Sequence, residues 1–112
     1  MTNYQDFTDQ DLITFLTQGN RLALDELYER YWKILYNETY KRLNKTEIVE
    51  DIIQNVFSDL WNERETKVIE NIYSYMINQV RFQVYTNYKK GKSTPGFEKP
   101  LEYLKLSDLQ VN

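Results

Sequence analysis

Between residues 46 and 61, carboxylates and an amide recur at helical spacing beside a broad apolar stripe. Glu47, Glu50, Asp51, Gln54, Ser58 and Asp59 lie largely on one side, and Ile48, Val49, Ile52, Ile53, Val56, Phe57, Leu60 and Trp61 lie on the other. The apolar set builds a core, and the polar set is free to bind cationic or hydrogen-bonding partners. Two other readings share the same residues. One is an ordinary solvated helix face. The other is acid–base catalysis by Glu50 and Asp51, which is disfavoured because adjacent helical positions point about 100° apart and do not converge on one substrate.

A second constellation interleaves aromatic and basic side chains: Tyr73, Tyr75, Arg81, Phe82, Tyr85, Tyr88, Lys89 and Lys90. Nucleic-acid surfaces use this mixture, because cations neutralise phosphates while aromatic faces stack on unpaired bases. Ile72, Met76, Ile77, Val80 and Val84 also need a core, so some of these aromatics must serve it.

The elements that must position these residues are helical. Thr8 can cap a first helix over 9–18, with Asp11 completing a capping box and Gly19 and Asn20 ending it. A second, amphipathic helix is predicted over 21 to about 43. Leu24, Leu27, Tyr28, Tyr31, Ile34, Leu35 and Leu43 lie on its inner side, and Arg30, Lys33, Glu38, Lys41 and Arg42 mostly on its wet face. Asn44 or Thr46 can cap a third helix to about residue 62, with Glu47 and Glu50 near its N-terminus, where the helix dipole favours anions. Residues 63–70 lack periodicity and read as a loop, after which Asn71 caps a fourth helix to about residue 90. Residues 91–100, rich in Gly, Pro, Lys and Ser, are expected to form a flexible segment. Leu101, Leu104, Leu106 and Leu109 are expected to form a short terminal turn or helix. The fold class is therefore all-α: a compact bundle of three to four helices over 1–90, with a flexible C-terminal segment over 91–112.

The 112-residue chain holds no cysteine and no histidine, which removes disulfides, zinc fingers, thiol nucleophiles and imidazole acid–base chemistry. No glycine-rich phosphate loop, spaced metal-ligand set or activated nucleophile occurs, so no enzyme activity, cofactor or metal is expected. No apolar run reaches the ~18 residues needed to cross a bilayer, and the N-terminus lacks signal-peptide parts, so a cytoplasmic protein without membrane insertion is expected. The net charge of −3 is unevenly spread. Acids outnumber bases through residue 70, whereas 71–97 contain Arg81, Lys89, Lys90 and Lys92 and no acid. Such a block suggests a local polyanion site.

The order Glu50, Asp51, Ile52, Ile53, Gln54, then Val56, Phe57, Leu60 and Trp61 resembles the polymerase-binding helix of bacterial sigma factors of the extracytoplasmic-function group. Asp11, Leu12, Ile13, Gly19, Leu27, Tyr28 and Tyr31 resemble that family's opening helices. Ile72, Tyr75, Val80, Arg81, Val84, Lys89 and Lys90 resemble its promoter-recognition helix. Three ordered segments are more specific than one, and together they resemble sigma domain two.

The resemblance implies a helical bundle that docks on the clamp helices of the largest subunit of RNA polymerase core. Asp51, Gln54 and Asn55 fall where the family places polar contacts, with Glu47, Glu50 and Asp59 as further candidates on the same helix. It also implies capture of the non-template strand of the minus-ten promoter element, with a flipped base held by the loop over 62–71. There Arg64 and Lys67 would supply positive charge. Arg81, Lys89, Lys90 and Lys92 would hold the DNA backbone, and Tyr85 and Tyr88 would stack on bases. A single basic patch in an acidic chain implies weak affinity for duplex DNA on its own. An anti-sigma partner and a monomeric state are implied in the same way. Phe82 departs from the asparagine common in the family after the arginine, and the family's minus-35-reading domain is not present in this sequence. The competing reading is a non-enzymatic helical interaction module, an adaptor or polymerase antagonist without promoter recognition.

Overall fold

The structure, a computed structural model, describes residues 3–90; residue 92 and the predicted C-terminal linker and leucine-containing turn lie outside the described residues. A short 3-10 turn, Tyr4–Asp6, which the sequence pattern did not indicate, precedes four α-helices. Thr8 begins the first. Its hydroxyl accepts from the Asp11 backbone N–H and the Asp11 carboxylate accepts from the Thr8 N–H, both at 3.1 Å. This reciprocal pair satisfies two helix-end donors and launches α1, Asp9–Thr17, as predicted. Gly19 adopts φ 89°, a left-handed value that an L side chain resists, and so ends the helix.

Asn20 does more than close α1. Its side chain accepts from the Leu22 N–H at 2.9 Å and starts α2, Arg21–Leu43. At the far end Asn44 takes a left-handed conformation, φ 55°, with its N–H bonded to the Tyr40 carbonyl at 2.8 Å. Asn44 therefore ends α2 instead of capping the next helix. Thr46 is the first residue inside α3, Thr46–Asn62, and Lys45 precedes it without a side-chain cap. The physical reason is the short connection: reversing the chain there needs a left-handed residue, and asparagine tolerates that conformation best among residues with a Cβ. Asn71 caps α4, Ile72–Lys89, as predicted, accepting from the Ser74 N–H at 2.8 Å.

Helix α2 packs against α1, α3 and α4. The core holds Leu12 and Leu16 from α1, Leu27 and Leu35 from α2, Val49, Ile52, Val56 and Leu60 from α3, and Met76, Val80 and Val84 from α4. The expected inner side of α2 is corrected at three places. Tyr28 and Ile34 are exposed, whereas Arg42, assigned to the wet face, is buried beside Thr39. A helix with neighbours on several sides has no single core stripe: Ala23, Leu24 and Leu27 are covered in its first half, and Leu35, Thr39, Arg42 and Leu43 in its second.

Arg42 is tolerated inside because its guanidinium donates to Glu38 Oε1 at 3.0 Å and to the Glu38 carbonyl at 2.8 Å. Burial alone would raise the Glu38 carboxyl. The hydrogen bonds from Arg42 and Lys41 outweigh it and hold the group below the usual carboxylate range.

The 3-10 turn is anchored by Arg30. Its guanidinium donates to the carbonyls of Phe7 at 2.6 Å, Tyr4 at 3.1 Å and Gln5 at 3.3 Å, while pairing with Asp9 and Glu26 at 2.9 Å each. The rings of Tyr4, Phe7 and Phe15 pack edge-on beside it. No helix among the described residues is long and apolar enough to cross a membrane.

Candidate recognition surfaces on α3 and α4

Because α3 turns its buried side inward through Val49, Ile52, Ile53, Val56, Phe57 and Leu60, its polar residues form a ridge facing out. Glu47, Glu50, Asp51, Gln54, Asn55 and Ser58 are exposed and Asp59 is half-buried. The ridge has two flanks. Glu50 and Gln54 line a groove against α2 with Tyr28, Trp32, Tyr36 and Ile53. Asn55 and Asp59 line a different groove, of about 420 Å³, against α4, with Gln79, Phe82, Gln83, Thr86, Asn87 and Lys90. Asp51 lies on the crest between them, as its place on the helical wheel requires.

Across the α3–α4 groove, Asn55 Nδ2 donates to Gln83 Oε1 at 3.2 Å and Gln83 Nε2 approaches Asp59 Oδ2 at 3.5 Å. Burial and the nearby Glu63 raise the Asp59 carboxyl above its ordinary value. The folded chain thus holds this proton more tightly than the unfolded chain. Its stabilising effect is complete below the ordinary carboxylate range and is lost as pH rises through the raised value. Asp59→Asn is accordingly expected to stabilise the bundle at pH 7, by less than about 1 kcal/mol because solvent screens the site. Urea unfolding checks this, and the advantage over the parent should disappear in acid.

Helix α4 also has two sides. Arg81, Tyr85, Tyr88 and Lys89 fall on one by helical spacing, with the Lys89 ammonium 5.6 Å from the Tyr85 ring centroid. Lys90 falls on the opposite side, in the amide-lined groove. The sequence-predicted basic set is therefore divided, and Lys90 sits with Asn55 and Asp59, which were assigned to the other surface. Phe82, at 57% exposure, is also on the groove side.

The connection from α3 to α4 is tied down by its own charges. Arg64 stacks on Trp61, 4.0 Å from the ring centroid, donates to the Trp61 carbonyl at 2.8 Å and pairs with Glu65 at 3.7 Å. Lys67 pairs with Glu63 at 3.7 Å, and Glu63 in turn accepts from the Tyr75 hydroxyl at 3.0 Å. Burial, reinforced by that bond, pushes the Tyr75 phenol well up. Ile69 pins the loop to the core while Val68 points outward. Arg21 reaches the Trp61 ring at 5.1 Å, so two guanidiniums flank one indole.

Sequence reasoning missed one element of the surface: the aromatic residues of α2 beside the α3 ridge. Their signal was present in the four-residue spacing of Tyr28, Trp32, Tyr36 and Tyr40. No group of three or more carboxylates suited to a metal ion occurs among the described residues. Comparison with family models, curated proteins and solved structures finds no match to this chain.

Proposed function

We propose that this protein is a transcription initiation factor of sigma domain-two type, recruited to RNA polymerase core through α3 and holding single-stranded minus-ten promoter DNA through α4. The observation that carries the reading is the separation of two chemically opposite faces on one rigid helix pair. Asp51 and Gln54 lie on the exposed ridge of α3, and Arg81, Tyr85, Tyr88 and Lys89 share one side of α4. A shared core couples the two helices, so a protein bound to one face and a strand bound to the other are held in fixed register. The mechanism is binding and strand capture. Carboxylates and an amide pair with basic and polar groups of the clamp helices. Phosphate neutralisation and ring stacking offset the few kcal/mol needed to unstack a base. Bond making belongs to the polymerase, and an anti-sigma protein covering α3 would silence the factor.

Fluorescence anisotropy of a labelled single-stranded minus-ten-like oligonucleotide with polymerase core tests both faces. Asp51→Ala with Gln54→Ala is expected to weaken core binding by about tenfold or more. Arg81→Ala with Lys89→Ala is expected to keep core binding and lose about tenfold in DNA capture, with a shallower salt dependence. Failure of the intact chain to engage core overturns the reading. The alternative, an interaction module without promoter recognition, is favoured by the pairing of Arg64 with Glu65 and of Lys67 with Glu63, which reduces the charge that the loop offers DNA. It requires the α4 double variant to leave every partner interaction intact.

A further inference from the structure

Tyr28, Trp32, Tyr36 and Tyr40 form a ladder of rings along the outside of α2. Tyr28 and Trp32 are nearly parallel, at 14° and 6.4 Å between centroids. Trp32 and Tyr36 meet at 77° and 6.5 Å, and Tyr36 and Tyr40 stack at 13° and 6.2 Å. Tyr28, Trp32 and Tyr40 remain 40%, 37% and 41% exposed. Tyr28 packs edge-on against Phe57 at 5.0 Å between centroids and Tyr36 lies against the core, so the ladder is anchored on its inner edge while its outer ring surface stays open.

Tyr28, Trp32 and Tyr36 form one wall of a cavity of about 200 Å³ in the seam between α2 and α3, and Glu50, Ile53 and Gln54 form the other. The electrostatics select the occupant. Aromatic faces carry the negative end of the ring quadrupole, and Glu50 adds a full charge. Glu47 and Asp51 are exposed on the same helix as Glu50, and Asp25 and Glu29 are exposed on α2. Around Glu50 a phosphate backbone is repelled and a cation is drawn in, whereas the cationic Arg21 lies farther along the seam, beside Trp61. A guanidinium fits best, because it is planar enough to stack on an indole, weakly hydrated enough to leave water, and forked to match a carboxylate.

We propose that the α2–α3 seam is a receptor for an arginine side chain presented by a protein partner, with the guanidinium held against Trp32 and Tyr36 and paired with Glu50. This assigns partner chemistry to the acidic face, and so rests on the protein-docking half of the proposed function and not on its DNA half.

The test is an NMR titration of the isotope-labelled chain with a short alanine-based helical peptide carrying two arginines four residues apart. The same peptide with citrulline, a neutral near-isostere, is the second arm. The arginine peptide is expected to shift the Trp32 indole N–H and the Glu50 and Gln54 amides saturably, with the citrulline peptide at least about tenfold weaker. Trp32→Ala and Glu50→Gln, both at exposed positions, are each expected to weaken binding about fivefold while leaving the circular dichroism unchanged. Equal binding of the citrulline peptide, unaltered binding by both variants, or shifts centred on Asn55 and Gln83 overturns the proposal. A polymerase-core binding assay separates the two readings. Core binding without an arginine-peptide response sinks the receptor and leaves the function standing, whereas a peptide response without core binding does the reverse.

Discussion

Leu60→Ala is expected to lower the unfolding free energy by about 2–5 kcal/mol, a large share of the ~5–15 kcal/mol that holds a domain together. Leu60 is 0% exposed on the inner side of α3 and belongs to the same buried cluster as side chains from α1, α2 and α4. Truncation removes apolar contact and leaves a cavity that backbones on several sides can only partly close. The polar ridge of α3 shares this anchor, since Leu60 is one of the six buried residues that together fix the rotation pointing Asp51 and Gln54 outward. Urea unfolding followed by circular dichroism measures the loss. Ile34→Ala, at a 42% exposed position on α2, is the matched comparison and should change stability by less than about 1 kcal/mol. A Leu60→Ala loss as small as that of Ile34→Ala would contradict the packing described.

Arg30→Met is expected to destabilise the bundle by about 2–3 kcal/mol, the upper range for a charged hydrogen-bonding group, even after allowance for its 23% exposed side chain. One guanidinium serves three carbonyls of the N-terminal turn and two carboxylates, Asp9 and Glu26. Methionine keeps the methylene packing and removes every donor, leaving the carbonyls and Asp9 without their cation. Asp9 would still accept from the Tyr31 hydroxyl, whose own proton is held by burial and by Asp9, with its pKa pushed up to about 12. Amide exchange should locate the damage: the amides of residues 4–9 lose protection well before those of α3. Lysine should not rescue the variant, because a compact ammonium cannot reproduce the fork that spans all five acceptors.

The sequence carried the helix boundaries well because they are written in local chemistry. Thr8 with Asp11 and Asn71 with Ser74 are contacts within one turn, readable without any partner. The inward side of α3 was equally plain, since all its buried residues lie on one stripe. Helix α2 was harder. Arg42 is covered and Ile34 is left in water because neighbouring helices decide which side of α2 is inside, and a wheel drawn for one helix holds no information about them. The same limit applied to the surfaces. The residue types at Asn55, Asp59 and Lys90 were evident, but that they share one groove depends on how α3 crosses α4. Asn44 shows a further kind of miss, in which a residue fit for capping one helix is used to end another.

The seam between α2 and α3 places the chain's two indoles in opposite electrical surroundings. Trp61 lies beside Arg21 and Arg64, whereas Trp32 lies in the groove that contains Glu50. Iodide, an anionic quencher, is concentrated around the first emitter, and caesium, a cationic one, around the second. Two simple salts thus separate the optical signals of the two indoles, and the surroundings of each can be followed during binding or unfolding without attaching a dye.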